Sequence, residues 1–190
     1  MKRAWRVAFV AAGGLLAGSG AYLGLVTGAA PVDLGIGRRI RSVGPLEIHI
    51  AAPPDLVFDV IAAPYAERTT RALRDKVRVI ERGTDLVLAA HYTPIRGGLR
   101  ATTVETVRFT RPERIDFRLV RGPVPHVVEK FVLSGDGDGT RLTYTGELGT
   151  DLWALGRLWG DLVAAKWLAT VRTSLTAIQD EAEHRARHQR

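Results

Sequence analysis

The sequence predicts an α+β fold: a seven-stranded antiparallel sheet packed by one long C-terminal helix, preceded by one N-terminal transmembrane helix. Three observations carry that prediction. Residues 7–30 hold no charged side chain. Seven segments between residues 46 and 147 carry strand patterning and are joined mainly by short turns, and strands so joined pair antiparallel. Residues 151–184 contain no proline and repeat apolar side chains at helical spacing.

Composition narrows the function classes. The chain has 190 residues, enough for one domain with an appendage. It is 46% apolar and 25% charged, which argues against a disordered chain or a multi-span transporter. The absence of cysteine excludes a disulfide framework, a cysteine-ligated zinc and a cysteine nucleophile. The net charge is +7, but Lys2, Arg3 and Arg6 supply three of these charges, and the rest is spread along the chain. Nucleic-acid binding needs clustered Lys and Arg on one face, so no nucleic-acid partner is expected.

As a helix, the uncharged segment 7–30 spans about 36 Å, enough for a hydrocarbon core of about 30 Å. A cleaved signal peptide is the competing reading, with a small-residue site at 27–30, but the apolar stretch is longer than a signal peptide needs. The expected location is therefore the cell membrane, single-pass. Lys2, Arg3 and Arg6 lie closer to the span than Arg38, Arg39 and Arg41, which favours an extracytoplasmic domain. Gly20, Gly24 and Gly28 recur every fourth residue, a spacing that permits a homodimer through the span. Residues 31–43 read as a linker with a basic step, residues 44–185 as the domain and residues 186–190 as a charged tail.

Within the domain, residues 46–50 alternate apolar and polar and read as a half-buried strand ended by Pro53-Pro54. Residues 55–61 follow with apolar side chains at helical spacing and proline at the entry. Residues 65–75 are polar and read as a second short helix or an irregular turn. Strands are then expected at 77–82, 86–93, 100–110, 115–121, 127–133 and 142–147. Asp136-Gly137-Asp138-Gly139 is a hairpin signal between the last two. The C-terminal helix runs from 151 to about 184, with Thr150 or Asp151 as its N-cap. One stripe of this helix holds Arg157, Asp161, Arg172 and Gln179. The opposite stripe, expected to face the sheet, holds Leu152, Leu155, Trp159, Leu162, Val163 and Lys166.

This order, with Ile48-His49-Ile50-Ala51-Ala52-Pro53-Pro54-Asp55-Leu56-Val57-Phe58 near its start and Gly139-Thr140-Arg141-Leu142-Thr143-Tyr144 near its end, resembles the START/SRPBCC superfamily. That superfamily includes polyketide cyclases and lipid-transfer domains. The resemblance covers about residues 44–185. It implies a helix-grip fold, in which the sheet wraps around the long helix and leaves an elongated apolar cavity. It implies binding of a hydrophobic small molecule or lipid, and does not by itself imply catalysis.

Strand alternation supplies the cavity candidates. In residues 100–110 the better inner face holds Glu105, Val107 and Phe109. In 115–121 it holds Phe117 and Leu119, in 127–133 Glu129 and Phe131, and in 142–147 Tyr144. Trp159 and Lys166 lie on the helix face expected to meet the sheet. A buried ammonium needs a partner, so a buried Lys166 would pair with Glu105 or Glu129; the favoured reading is that it extends into water, with both glutamates at the cavity mouth. His91 shares a face with Val87 and Ala89, but the other face of its strand is equally apolar, so a structural role is favoured. Trp153 and Trp167 read as core or cavity wall.

Asp136, Asp138 and Glu147 have the spacing of a calcium loop, but Arg141 stands where its glycine is required, so no metal is expected. No phosphate loop, Gly-x-Ser-x-Gly elbow or His-Glu-x-x-His motif is present, and no cofactor is expected. The favoured reading is a membrane-anchored module that binds or carries a hydrophobic small molecule or lipid. The alternative is a cyclase/aromatase-type enzyme using cavity Glu or His as acid and base. A third reading is an interaction domain with a filled core. A perturbed titratable pair on the cavity wall favours the enzyme over the carrier.

Overall fold

A computed structural model describes Gly20, residues 22–30 and residues 32–189. Most of the predicted span, residues 7–19 and 21, lies outside the described residues, although Gly20, Gly24 and Gly28 are among those described. Residues 22–27 are helical. No helix among the described residues is long and apolar enough to cross a membrane.

Seven strands form one antiparallel sheet: β1 (Arg39–Ile50), β2 (Val77–Arg82), β3 (Leu86–Pro94), β4 (Arg100–Thr110), β5 (Arg114–Arg121), β6 (His126–Asp136) and β7 (Gly139–Thr150). Their order is β1-β7-β6-β5-β4-β3-β2, so the first strand pairs with the last and all other neighbours are consecutive. Helix α1 (Pro54–Ala62) starts on a proline and buries Val57, Phe58, Val60 and Ile61. A 3-10 turn (Ala63–Tyr65) and the single-turn α2 (Arg71–Arg74) lead to β2. The long helix α3 (Trp153–His188) packs against α1 and the β1/β7 part of the sheet. The sheet's inner face meets α1 and α3 in one apolar core, with Ile50, Val107, Ile115 and Leu142 fully buried.

Two expectations shift at their edges. β1 begins at Arg39, inside the segment read as linker, because the ladder breaks its register between Val43 and Leu46 and resumes beyond it. The interruption hides the first half of the strand from an alternation count. The hairpin forms as expected, Asp136 pairing with Gly139 across Gly137, whose φ of +59° suits glycine. Neither Thr150 nor Asp151 caps α3. The preceding residue is Leu152, left-handed at φ +67°, and its N–H bonds the Ile36 carbonyl at 2.8 Å.

Asp151 instead ties down the N-terminal approach. Its carboxylate accepts from the Leu34 and Gly35 N–H groups at 2.6 and 2.8 Å, and from Arg38 Nε at 2.7 Å. The side chain is 1% exposed, and these donors hold its pKa below the ordinary aspartate value, Arg38 first. Trp153 lies over Gly37, where any side chain would strike the indole. Gly28 is buried against the sheet: a Cβ there would fall 2.5 Å from the Thr102 carbonyl oxygen and 3.3 Å from Gly122 Cα.

The phase of α3 differs most from expectation. Gly156, Gly160, Val163, Ala164, Val171, Leu175 and Ala182 are its buried residues. Leu155, Leu158 and Leu162 are 69%, 68% and 48% exposed. At about 100° per residue the buried face is turned by roughly 120° from the one expected. Small residues face the sheet because the helix start crosses the end of β7 closely. A Cβ on Gly160 would sit 3.0 Å from Thr150 Oγ1.

Candidate functional site

The inner face of the sheet carries two buried carboxyl groups. Odd-numbered residues of β4 point inward, placing Glu105 at 6% exposure between Thr103 and Val107. The same alternation in β6 places Glu129 at 8% exposure between Val127 and Phe131. β5 lies between these strands, with Leu119 opposite Glu105 and Phe117 opposite Glu129. Both glutamates occupy the inner positions expected from the sequence.

Glu129 is held by two donors. The Tyr144 hydroxyl donates to Oε1, and Trp167 Nε1–H donates to the same oxygen at 2.6 Å. Tyr144 lies on β7, and Trp167 comes across from α3. Gly146, opposite Glu129 in the ladder, makes the contact possible: a Cβ there would stand 3.1 Å from both Glu129 Cγ and the Tyr144 hydroxyl. Phe131 packs between Phe117 and Tyr144, with ring centroids 5.6 Å away on each side.

Glu105 faces a second group. Its Oε2 lies 3.3 Å from His91 Nδ1, which makes no hydrogen bond, while His91 Nε2 is bonded to the Tyr65 hydroxyl at 2.8 Å. His91 reaches this place because β3 pairs it with Thr103 and pairs Ala89 with Glu105. Tyr65 arrives from the 3-10 turn and is fixed edge-on against Phe109 at 5.5 Å. Tyr65, His91 and Glu105 thus form a line of titratable groups across the inner face.

Burial sets the electrostatics. It pushes Glu105 up to about 7, with the Thr103 hydroxyl pulling weakly the other way. It pushes Glu129 up to about 7 as well, and the Glu105 charge adds to the rise while Tyr144 and Trp167 oppose it. Burial lowers His91 to about 4, so the imidazole is neutral at neutral pH. Tyr65 and Tyr144 are both raised by burial and by the glutamates, and remain protonated. Near pH 7 each carboxyl is therefore close to its midpoint, so that one can give a proton while the other accepts.

The other expected residues divide. Val107 is fully buried core. Phe109, Phe117, Leu119 and Trp159 lie on or against the inner face but stay only partly covered, as do His91 and Trp167. Trp159 Nε1–H donates to the Pro123 carbonyl at 2.9 Å, closing the helix onto the β5–β6 turn. Lys166 does not pair with either glutamate. It is exposed and forms no ion pair among the described residues, because the true phase of α3 turns its neighbour Trp167 inward instead. Trp153, expected in the core or cavity wall, is 56% exposed.

Tyr65 carried no signal in the sequence, lying in a segment without periodicity. His91 was ambiguous because Ala90, on the opposite face of β3, is also buried. Among the described residues, no cluster of three or more His, Asp or Glu side chains is placed to hold a metal ion.

The architecture is shared with solved structures. The Zhui aromatase/cyclase from Streptomyces sp. R1128 is similar at a TM-score of 0.65 and 20% identity, over 77% of this chain and 96% of that one. TTHA0849 from Thermus thermophilus gives 0.60 and 19%, over 75% and 97%. The di-domain ARO/CYC StfQ from the steffimycin biosynthetic pathway gives 0.59 and 17%, over 77% of this chain and 52% of that one. At these identities the likeness is one of fold. No curated protein matches the sequence. Residues 46–183 match the family described as polyketide cyclase / dehydrase and lipid transport, and the chain belongs to that family.

Proposed function

We propose that this protein binds a hydrophobic, carbonyl-bearing molecule against the inner face of its sheet and moves protons on it, as a cyclase or dehydratase does. The observation that carries this reading is the pair of buried carboxyls, both raised to about 7, Glu129 held by two hydrogen-bond donors and Glu105 facing His91. Glu129, oriented through Oε1 by Tyr144 and Trp167, keeps Oε2 for a substrate proton and is the base. Glu105, whose proton is held by burial, is the acid, and His91 and Tyr65 position it.

In an aldol closure, Glu129 takes the proton α to one ketone, the carbanion forms a C–C bond to a second carbonyl carbon, and Glu105 protonates the new alkoxide. In the dehydration that follows, Glu129 returns its proton to the departing hydroxyl while Glu105 takes a second α-proton. Water leaves, and both carboxyls regain their starting state. A positioned acid or base contributes about 10²–10⁴-fold.

The test is deuterium uptake into the methyl group of 2-acetonaphthone in D2O, followed by NMR with the full chain in mild detergent. Acceleration that falls at least about tenfold in Glu129→Gln supports the base. Binding detected by quenching of tryptophan fluorescence, without any acceleration, refutes it and leaves a carrier of hydrophobic molecules. The sequence supports that second reading through the uncharged segment 7–30, by which the chain is anchored in the cell membrane with its domain on the extracytoplasmic side.

A further inference from the structure

The antiparallel order gathers many chain ends at one pole of the domain. Arg39 pairs with Thr150, His126 with Gly149, Val104 with Arg121 and Pro94 with Arg100, so the starts of β1, β4 and β6 lie beside the ends of β3, β5 and β7. The first turns of α3 stand at the same pole, held there by Trp159 on Pro123.

This pole has two unusual surface properties. Leu155, Leu158 and Leu162 form one exposed stripe on α3, opposite its buried face, and Ile36, 52% exposed, lies at the helix start, where its carbonyl accepts from the Leu152 N–H. Arg39, Arg100, Arg121 and Arg157 are exposed there and pair with no carboxylate among the described residues. An exposed apolar helix stripe at a pole that also carries unpaired arginines suits a surface of anionic lipid. A second copy of the chain would set like charges against each other.

The covalent path leads to the same pole. Leu34, whose N–H is bonded to buried Asp151, lies four residue steps beyond Ala30, the end of the segment read as a span. Four extended residues reach at most about 14 Å. Gly28 itself is packed against Thr102 and Gly122.

We propose that this pole, with the Leu155/Leu158/Leu162 stripe as its apolar contact, lies on the bilayer that receives residues 7–30. The half-covered inner face behind Trp159 then opens toward lipid, and an apolar molecule passes between membrane and interior without crossing water. The inference rests on the membrane reading of residues 7–30, and one experiment separates the two.

The chain has no cysteine, so a single introduced thiol takes a spin label cleanly. Leu158→Cys and, at the far hairpin tip, Asp138→Cys are labelled in the full chain and reconstituted into phosphatidylcholine vesicles containing about 30% phosphatidylglycerol. Accessibility to oxygen and to a nickel chelate is measured by EPR, and anchoring is measured separately by resistance to carbonate extraction. The proposal expects the Leu158→Cys label to favour oxygen severalfold over nickel, and the Asp138→Cys label to behave as in water. An anchored chain whose Leu158→Cys label is open to nickel overturns the docking and leaves the anchor standing. A label shielded from both reagents marks a protein contact and also overturns it. An extracted chain with a nickel-accessible label overturns both readings, whereas an extracted chain whose label still favours oxygen supports docking without the anchor.

Discussion

Replacing Glu105 by Gln removes one titrating carboxyl from the interior while keeping its shape, and the pH dependence of stability reports the change. In an unfolded chain a glutamate titrates near 4.5; folded, Glu105 holds its proton to about 7. Between those values the folded state binds more protons, so stability falls as pH rises through that window. At about 1.4 kcal/mol per pH unit, the full interval corresponds to about 3 kcal/mol for one buried carboxyl, and about 2–3 kcal/mol of it falls between pH ~5 and ~9. His91 runs the other way: its folded value of about 4 lies below the ordinary 6.5, so its contribution is present above 6.5 and is lost as pH falls toward 4. That term is common to both proteins and cancels in the comparison. Glu105→Gln also relieves Glu129 of a neighbouring charge, which enlarges the difference. Thermal unfolding followed by tryptophan fluorescence in mild detergent should show Glu105→Gln gaining about 5–10 °C on the native chain between pH ~5 and ~9. An unchanged gap between the two proteins over that range would refute the buried, proton-holding Glu105.

Three further outcomes follow from the same geometry. Trp167→Phe deletes a donor to Glu129, so the Glu129 midpoint should rise above about 7, as read by 13C NMR of the glutamate carboxyls. Gly160→Ala places a Cβ 3.0 Å from Thr150 Oγ1 and 3.2 Å from its Cγ2, and calorimetry should show a loss of about 1–3 kcal/mol, partly restored by Thr150→Ser, which removes Cγ2. Arg38→Met leaves the Asp151 carboxylate, 1% exposed, without its cation. Stability should fall by about 3 kcal/mol at neutral pH. Because the pairing lowers the Asp151 pKa, its contribution is present above the ordinary aspartate value and lost as pH falls through the folded one, so the deficit should shrink toward pH ~3.

What the sequence revealed depended on where periodicity was clean. β4 and β6 alternate strictly, and both buried glutamates were found from that alternation. β3 is apolar on both faces, so His91 stayed ambiguous until pairing with β4 fixed its side. α3 misled because its large leucines face out and its glycines and alanines face in. A rule that buries the largest apolar side chains turns such a helix the wrong way, and it exchanged Lys166 for Trp167. The small residues serve close approach, a long-range requirement that no local pattern contains. Tyr65 belongs to no periodic element, and only the tertiary fold brings it to His91.

The pairing of β1 with β7 has a consequence for synthesis. About 100 residues separate the partners, Arg39 from Thr150 at one end and Ile50 from Thr140 at the other. At a translation rate of about 5–20 residues per second, β1 leaves the ribosome about 5–20 s before its partner exists. Throughout that interval it is an unsatisfied edge, open to the wrong strand. Its own sequence supplies protection: Arg39, Arg41, Glu47 and His49 interrupt the apolar positions, and Gly44-Pro45 breaks the strand at its centre. The same irregularity that concealed the first half of β1 from the alternation count keeps the nascent strand from pairing before β7 arrives.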